Sequence, residues 1–420
     1  MKTHITFQNK LIVKKIGAPR KKIPHDIKKK TMLALTGGEA AAMAMKQVNP
    51  DVAAVYPITP QTPIMAAFSN YWADGAVNTE MIHVESEHSA MSACVGASAA
   101  GARVMTATAS VGLALMFEIL PVASGTRLPI VMNIANRALS APINIHCDYS
   151  DTMATRDQGW IQIYSENAQE VYENTLLAVK LAESINLPAM VCQDGFLTSH
   201  SIENIIVYPD DIIRKFLGTR KPYRPLLDVK NPVTYGPLQL QNYYFETKKQ
   251  VEDAMNKAKK EYLIVGKSLK KITGTDYEYF ESYFLEDAEY AIITMSSTAG
   301  TTKVVVDKLR AQGKKVGLLK IKLYRPFVYE EYGKALIHLK GIAVLDRSLT
   351  IGAECPIYTD IKSTLFNMYV NAKKKFEIPK LQSYTYGLGG RDIFESDIES
   401  VFEELEKGKL SNEKKYIGLR

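Results

Sequence analysis

The sequence predicts an α/β protein, with a doubly wound parallel-sheet domain followed by a second α/β domain. Three observations predict it. From about residue 37 to residue 195, short apolar runs alternate with segments of helical pattern. Residues 208–288 break the alternation with prolines and mixed charges. From about 286 to 408 the alternation resumes. Short apolar strands alternating with helices give βαβ units, whose parallel strands are covered on both faces.

Taken in order, "GGEAAAMAMKQV" reads as a helix, "DVAAVYPI" as a buried strand and "MIHVE" as a strand. "HSAMSACVGASAAG" reads as a helix whose Ala, Ser and Gly let it lie close to a neighbouring backbone. "ARVMTATAS" is a strand, "GLALMFEILPVAS" a helix and "LPIVMNIA" a strand. After a polar loop, "NAQEVYENTLLAVKLAESI" is a helix and "LPAMVCQDG" a strand. "YPDDIIRKFLGTRKPYRPLLDVKNPVTYGP" reads as a wrapping connection, and "ETKKQVEDAMNKAKKEYLIVGKSL" as a helix with i,i+4 charge spacing. The second series runs strand "YAIITMSS", helix "TTKVVVDKLRAQG", strand "KVGLLKIKL", turn "YRPF", a helix and strand "GIAVLDRS". These readings divide the chain into a basic extension (1–31), a first domain with its wrapping connection (32–265), a second domain (266–410) and a tail (411–420).

Hydrophobic residues make up 46% and charged residues 23%, an ordinary globular balance. No apolar run reaches about 18 residues, so no membrane span is expected. The net charge of +7 is concentrated: residues 1–31 carry ten basic side chains against Asp26, leaving −2 for the other 389 residues. A nearly neutral body gives little support to nucleic-acid binding. The leader lacks the apolar core of a secretory signal and is expected to hold little fixed structure. The four cysteines (Cys94, Cys147, Cys192, Cys355) form no CxxC pair. That argues against a zinc site or iron–sulfur cluster held by this chain alone and fits a cytoplasmic, reducing compartment.

Ligands of open parallel sheets bind outside the carboxyl ends of the strands. The segments that follow the strands of the first domain hold Thr59, Glu85, Glu87, Ser110, Arg137, Asp148, Asp151 and Arg156. Glu87 lies at a strand-to-helix junction, where a carboxylate can serve as a simple cap or as a half-buried acid that shares a proton with a ring nitrogen. Arg137 ends the apolar strand "IVMNIANR". Its guanidinium can bind a small carboxylate bidentately, or it can pair with Asp148 or Asp151. Thr59 offers a hydroxyl inside the proline-rich exit "VYPITPQTP", which is also ordinary turn chemistry. The glycines of "YGLGGRD" do not make a dinucleotide fingerprint, and Walker A, nucleophile-elbow and H-E-x-x-H patterns are absent.

Together "YPITP", "ESEHSAMSACVGASAAGARVMTATASVGLALM", "NRALSAPINIHCDYSDTMATRDQGW", "QDGFLTSH" and "LYRPF" resemble the α chain of the 2-oxoacid:ferredoxin oxidoreductases, most of all the pyruvate branch. The resemblance runs from about residue 34 to 400, with the motifs in order. It implies a thiamine diphosphate-binding, pyrimidine-type domain followed by a transketolase C-terminal-like domain. It also implies oxidative decarboxylation of pyruvate to acetyl-CoA and CO2, with ferredoxin reduced and coenzyme A as co-substrate. By position, Glu87 matches the glutamate that hydrogen-bonds the cofactor aminopyrimidine. Thr59 matches the threonine beside the cofactor and the substrate carboxylate, and Arg137 the arginine that pairs with that carboxylate. Glu85 stands where some relatives have a neutral residue, and no role is assigned to it.

Such enzymes hold the Mg-diphosphate with a Gly-Asp-Gly motif, which this chain lacks; "QDGF" at 193–196 is not one. The resemblance therefore implies a partner β subunit with the diphosphate half of the site and a cluster. Further γ and δ subunits, separate or fused, would carry more 4Fe-4S clusters. Two alternatives stand beside this reading. One is the same chemistry on a branched-chain 2-oxoacid, 2-oxoglutarate or oxalate. The other is a non-catalytic doubly wound scaffold, with Glu87 as cap and Arg137 in a salt bridge.

Overall fold

The computed structural model describes residues 26–373 and 375–420, so the expected basic extension lies outside the described residues as far as residue 25. Its last residue, Thr31, opens strand β1 (Thr31–Thr36), which pairs antiparallel with β8 (Ile202–Val207) in a two-stranded ribbon. Neither strand was expected. β1 has no buried residue and β8 buries only Ile205 and Val207, a weaker signal than the apolar runs that follow. Helix α1 (Gly37–Val48) starts at a capping box: Glu39 N donates to Thr36 Oγ1 (3.1 Å) and Thr36 N to Glu39 Oε2 (2.9 Å).

The first domain then follows the expected alternation. It contains β2 (Val52–Val55), α2 (Thr62–Ala73), β3 (Glu80–His83), α3 (Glu87–Ala100) and β4 (Val104–Thr108). It continues with α4 (Ser110–Leu115), α5 (Leu120–Gly125), β5 (Val131–Asn136), α6 (Ser150–Ala154), β6 (Ile161–Ser165), α7 (Ala168–Ile185) and β7 (Ala189–Asp194). The segment expected as one helix over "GLALMFEILPVAS" is two, because Pro121 has no N–H to continue a helix and sits instead in the first turn of α5. Strand β6 emerges from the stretch read as a polar loop; its five residues are all buried.

Residues 208–288 contain α8 (Asp210–Leu217) and the 30-residue α9 (Tyr244–Thr273). The expected domain division at 265/266 falls inside α9, which runs unbroken from the wrapping connection to the second series. That series holds β9 (Phe280–Tyr283), β10 (Tyr290–Met295), α10 (Thr298–Ala311), β11 (Val316–Ile321), β12 (Leu323–Arg325) and α11 (Tyr329–Leu336). After these come β13 (Gly341–Asp346), α12 (Pro356–Asn371), β14 (Lys380–Thr385), α13 (Glu395–Glu406) and β15 (Lys415–Tyr416). The tail expected at 411–420 is thus part of the second domain, since β15 adds a parallel edge strand to β14.

The large sheet has the order β12-β6-β7-β5-β4-β2-β3, parallel except for β12. The other has the order β15-β14-β13-β10-β11-β9, parallel except for β9. The "YRPF" segment, expected as a turn, begins in β12 and closes the edge of the first sheet, tying the two domains together. In the first sheet the chain passes from β2 outward to β3, then back across to β4, so the strand order reverses between β2 and β4. The crevice of a doubly wound fold lies at such a reversal, outside the carboxyl ends of the strands.

Candidate active site

Four strand ends build that rim. After β2, the exit turn is pinned by Gln61: its N donates to Ile58 O (2.8 Å), and its Oε1 accepts from Ile58 N (3.2 Å). Pro63 sits in the first turn of α2, where a missing N–H leaves no bond unmade. Thr59 stands exposed at the crest of this turn.

After β3, helix α3 is capped by Ser86, whose Oγ accepts from Ser89 N (3.2 Å). The cap expected of Glu87 is therefore supplied by its neighbour. Glu87 is the first helical residue, 6% exposed, and among the described residues its carboxyl has no hydrogen-bond partner. Gly112 of α4 leaves room for it: a Cβ there would lie 2.6 Å from Glu87 Oε1 and 2.6 Å from Thr108 Oγ1. The Thr108 hydroxyl is itself buried and without a partner. The structure thus holds a half-enclosed carboxyl next to an orphaned hydroxyl, in a cradle that any side chain at 112 would fill.

After β5 comes Arg137, 5% exposed. Its Nε donates to Asn144 O (2.8 Å) and its Nη1 to Thr59 O (2.9 Å). It makes no ion pair with a carboxylate among the described residues. The alternative of a salt bridge to Asp148 or Asp151 is not what the structure contains. Asp151 instead takes the backbone N–H groups of Ser110 (2.9 Å) and Arg137 (3.0 Å) and the amide of Asn136 (2.8 Å). Burial pushes its carboxyl up to about 7, against the pull of those donors. The same clip holds Ser110 at φ 47, a left-handed conformation unusual for a residue with a side chain. Asp148 accepts from Ser150 N (3.0 Å) and Gly389 N (3.2 Å).

The structure brings Thr59 and Arg137 into contact and sets Glu87 on the same rim. It does not bring in Glu85, which is exposed and accepts from Ser89 Oγ (2.5 Å), a bond that lowers its pKa. Arg156 is turned back onto Met153 O (2.7 Å). All four cysteines are buried and free, and burial raises the Cys94 thiol to about 12. Glu166, Glu170 and Glu281 cluster as a metal site might require, but Lys320 Nζ reaches all three (2.5, 2.8 and 2.7 Å) and serves as their cation.

Sequence reasoning missed Thr108, Gly112, Asn144 and the clip function of Asp151. The glycines of "YGLGGRD" were a signal of close approach. Gly389 and Gly390 pack on the Arg137 loop, where a Cβ at 389 would meet Asn144 Nδ2 at 2.4 Å and one at 390 would meet His146 Cβ at 2.3 Å.

Residues 43–266 match the family described as pyruvate flavodoxin/ferredoxin oxidoreductase, thiamine diphosphate-binding. Residues 288–398 match pyruvate:ferredoxin oxidoreductase core domain II. The chain is 52% identical over 391 residues to the pyruvate synthase subunit PorA of Thermotoga maritima, covering 92% of this chain and 98% of that one. It is 44% identical to PorA of Methanocaldococcus jannaschii, covering 92% and 97%. It is 42% identical to the ketoisovalerate oxidoreductase subunit VorA of Pyrococcus abyssi, again covering 92% and 97%.

Among solved structures it is similar to 2-oxoglutarate:ferredoxin oxidoreductase from Magnetococcus marinus (TM-score 0.66, 18% identity), covering 90% of this chain and 66% of that one. It is also similar to a split-gene transketolase, an inactive β4 tetramer (TM-score 0.51, 11% identity), covering 88% and 96%. These two likenesses speak for the fold. The sheet topology, the rim of polar strand ends and the matches along both domains lead to one conclusion: the chain belongs to the pyruvate:ferredoxin oxidoreductase family, with a thiamine diphosphate-binding first domain and a core domain II.

Proposed function

We propose that this chain is the α subunit of a multi-subunit pyruvate:ferredoxin oxidoreductase. The complex converts pyruvate and coenzyme A to acetyl-CoA and CO2, reversibly, and delivers two electrons to ferredoxin. The observation that carries this reading is Arg137. A buried guanidinium at a strand end, without a carboxylate of its own, is a site for a small anionic ligand.

In this reading Arg137 spends two donors on the carbonyls of Asn144 and Thr59, and its remaining N–H groups are left for the carboxylate of a 2-oxoacid. Thr59, held by the same Nη1 bond, places its hydroxyl beside that carboxylate. Glu87 accepts a hydrogen bond from the aminopyrimidine of thiamine diphosphate and holds or releases the proton there. The close approach that Gly112 allows the Glu87 carboxyl, and its lack of a hydrogen-bond partner among the described residues, fit that contact. The cofactor, when bound, supplies the electron sink that decarboxylation of a 2-oxoacid requires.

In this reading a β subunit would hold the Mg-diphosphate, since this sequence has no Gly-Asp-Gly motif. The β, γ and δ subunits would carry the 4Fe-4S clusters and pass electrons to ferredoxin, since the four cysteines of this sequence form no cluster motif. Among the described residues no helix is long and apolar enough to cross a membrane. Four free thiols fit the cytoplasm as the compartment of the complex.

A second substrate is favoured by the 42% identity to a ketoisovalerate oxidoreductase subunit over the same span. Arg137 and Glu87 would serve a branched 2-oxoacid equally, since neither contacts the side chain. The deciding experiment purifies the complex with its partner subunits and compares 2-oxoacids in coenzyme A-dependent ferredoxin reduction. Pyruvate is expected to have the highest kcat/KM; a clear preference for a branched acid overturns the pyruvate assignment. Arg137→Met should raise KM for the preferred acid by about 10- to 100-fold, the loss of a charge-assisted pair.

A further inference from the structure

We infer that the second domain is a positioning element for the substrate-binding guanidinium of Arg137, and that Asn144 is the residue through which it acts. The inference rests on the reading of Arg137 as the group that binds the 2-oxoacid carboxylate.

The guanidinium has two anchors. Thr59 belongs to the first sheet. Asn144 belongs to the loop between β5 and α6, and that loop is also held from the other domain. The Asn144 carbonyl accepts from Arg137 Nε (2.8 Å), while its side-chain amide donates to Gly389 O (3.1 Å) and its Oδ1 accepts from His146 N (2.6 Å). Gly390 N donates to Cys147 O (2.7 Å), and Gly389 N to Asp148 Oδ2 (3.2 Å). Tyr149 N donates to Arg347 O (2.8 Å), at the end of β13. With Tyr149 Oη donating to Met295 O (3.4 Å) and Arg347 Nη1 to Cys147 Sγ (3.8 Å), the stretch from Asn144 to Tyr149 is bonded at six points to the second domain.

Within the first domain the loop is held by Ala138 N, which donates to His146 O (3.0 Å), and by the His146 ring against Phe196 (5.0 Å). Ile143 is 79% exposed and Ile145 is 41% exposed, so neither buries a side chain that would fix the backbone between them. The approach of the second domain depends on glycine. Gly389 and Gly390 have φ 60 and 81, and a Cβ on either would run into Asn144 or His146. The contact is built at backbone level and leaves little slack. A shift of the 387–390 segment is passed to the Asn144 carbonyl and from there to Arg137 Nε. Asn144 itself touches neither the proposed substrate position nor Glu87; it acts through Arg137.

The test uses the assembled complex with Asn144→Ala, Gly389→Ala, the double variant, and Arg137→Met as reference. Two readouts are taken: KM and kcat for the 2-oxoacid, and the dissociation constant of oxamate, an unreactive isostere of pyruvate, by calorimetry. Asn144→Ala should raise KM and the oxamate constant about fivefold to tenfold, the scale of one lost hydrogen bond. It should leave kcat within about twofold and thiamine diphosphate affinity unchanged. Gly389→Ala should do the same, and the double variant should be no worse than the more severe single one, because both break one contact.

If Asn144→Ala does not assemble, Asn144→Asp decides the matter: it keeps the acceptor for His146 N and loses the donor to Gly389 O. Unchanged KM and oxamate binding in the Asn144 variants, with Arg137→Met impaired, overturn the inference and leave the function standing. Additive effects, or a fall in kcat and cofactor affinity together, also overturn it. Unchanged oxamate binding in Arg137→Met overturns the underlying reading of Arg137.

Discussion

The two sheets of this molecule offer the same feature and treat it in opposite ways. Each reverses its strand order beside a central strand, between β2 and β4 in the first sheet and between β10 and β13 in the second. At the first reversal the carboxyl of Glu87 and the hydroxyl of Thr108 have no partner among the described residues, and Arg137, bonded to two carbonyls, has no counter-charge there. At the second, the crevice is filled by the first domain. Asp194, at the end of β7, inserts its carboxylate there, pairing with Arg347 (2.8 Å) and accepting from Ser297 N (3.3 Å) at the start of α10. Arg347 also reaches Thr298 Oγ1 (3.2 Å) and lies over the Tyr386 ring (5.2 Å). A side chain occupies the place a ligand carboxylate would take. Asp194 Oδ1, Arg347 Nε and Ser296 Oγ still have no partner among the described residues, so the contrast lies in charge: topology nominates two crevices, and the one whose acid and cation have no counter-charge is selected.

The largest effect should come from the open crevice. Glu87→Gln keeps shape and a hydrogen-bonding oxygen but cannot hold or release the proton. Turnover of the assembled complex should fall about 10²- to 10⁴-fold, with assembly unchanged on gel filtration. Turnover within about threefold of wild type would remove Glu87 from the mechanism. Gly112→Ala sharpens the same point without touching the acid: a Cβ 2.6 Å from Glu87 Oε1 must displace it, and a misplacement of that order costs about 10- to 100-fold in rate. An active Gly112→Ala enzyme would mean that the cradle is not used.

The filled crevice predicts a loss of stability in place of a loss of chemistry. Asp194 and Arg347 are almost fully enclosed, with side-chain exposures of 0% and 2%. Asp194→Ala would leave the guanidinium buried without its counter-charge, which costs about 3–5 kcal/mol. Urea unfolding of the chain should show that loss. A change below about 1 kcal/mol would mean that the second crevice tolerates an empty centre, and the contrast between the sheets would weaken.

Much of the contrast was legible in the sequence, for physical reasons that differ by residue. The parallel strands announce themselves because both faces are buried, so β2, β4, β5 and β7 read as apolar runs. Strands β1, β6, β8 and β12 were hidden: β1 and β8 are half exposed, β6 lies inside a polar stretch, and β12 is three residues long. Arg137 and Glu87 were visible as charged residues at strand ends, where a charge needs a reason. Asn144 and Gly112 were not visible, because their importance lies in what approaches them from 245 residues further on, in one case, and from a facing helix in the other. The partner of Asp194 was likewise beyond reach, since the pair is 153 residues apart in the chain.

The smallest effect concerns Asp151, which clips the ends of β4 and β5 together beneath the open crevice. Its carboxyl is pushed up to about 7 by burial, from 3.8 in an unstructured chain. The folded state then binds its proton more tightly than the unfolded state does. The stabilising contribution is complete below the unfolded value of 3.8, shrinks as pH rises and is lost on passing about 7. Asp148 adds repulsion in the same direction, while the N–H groups of Arg137 and Ser110 and the Asn136 amide oppose it. Asp151→Asn cannot titrate, but it turns an N–H₂ group toward donors that need an acceptor, so it should be less stable at every pH. The informative quantity is the slope. Between about pH 5 and 7 the unfolding free energy of the wild type should fall more steeply than that of Asp151→Asn. Equal slopes would place the titration elsewhere. They would mean that the donors around Asp151 hold it ionised throughout, as a permanent negative clip under the Arg137 backbone.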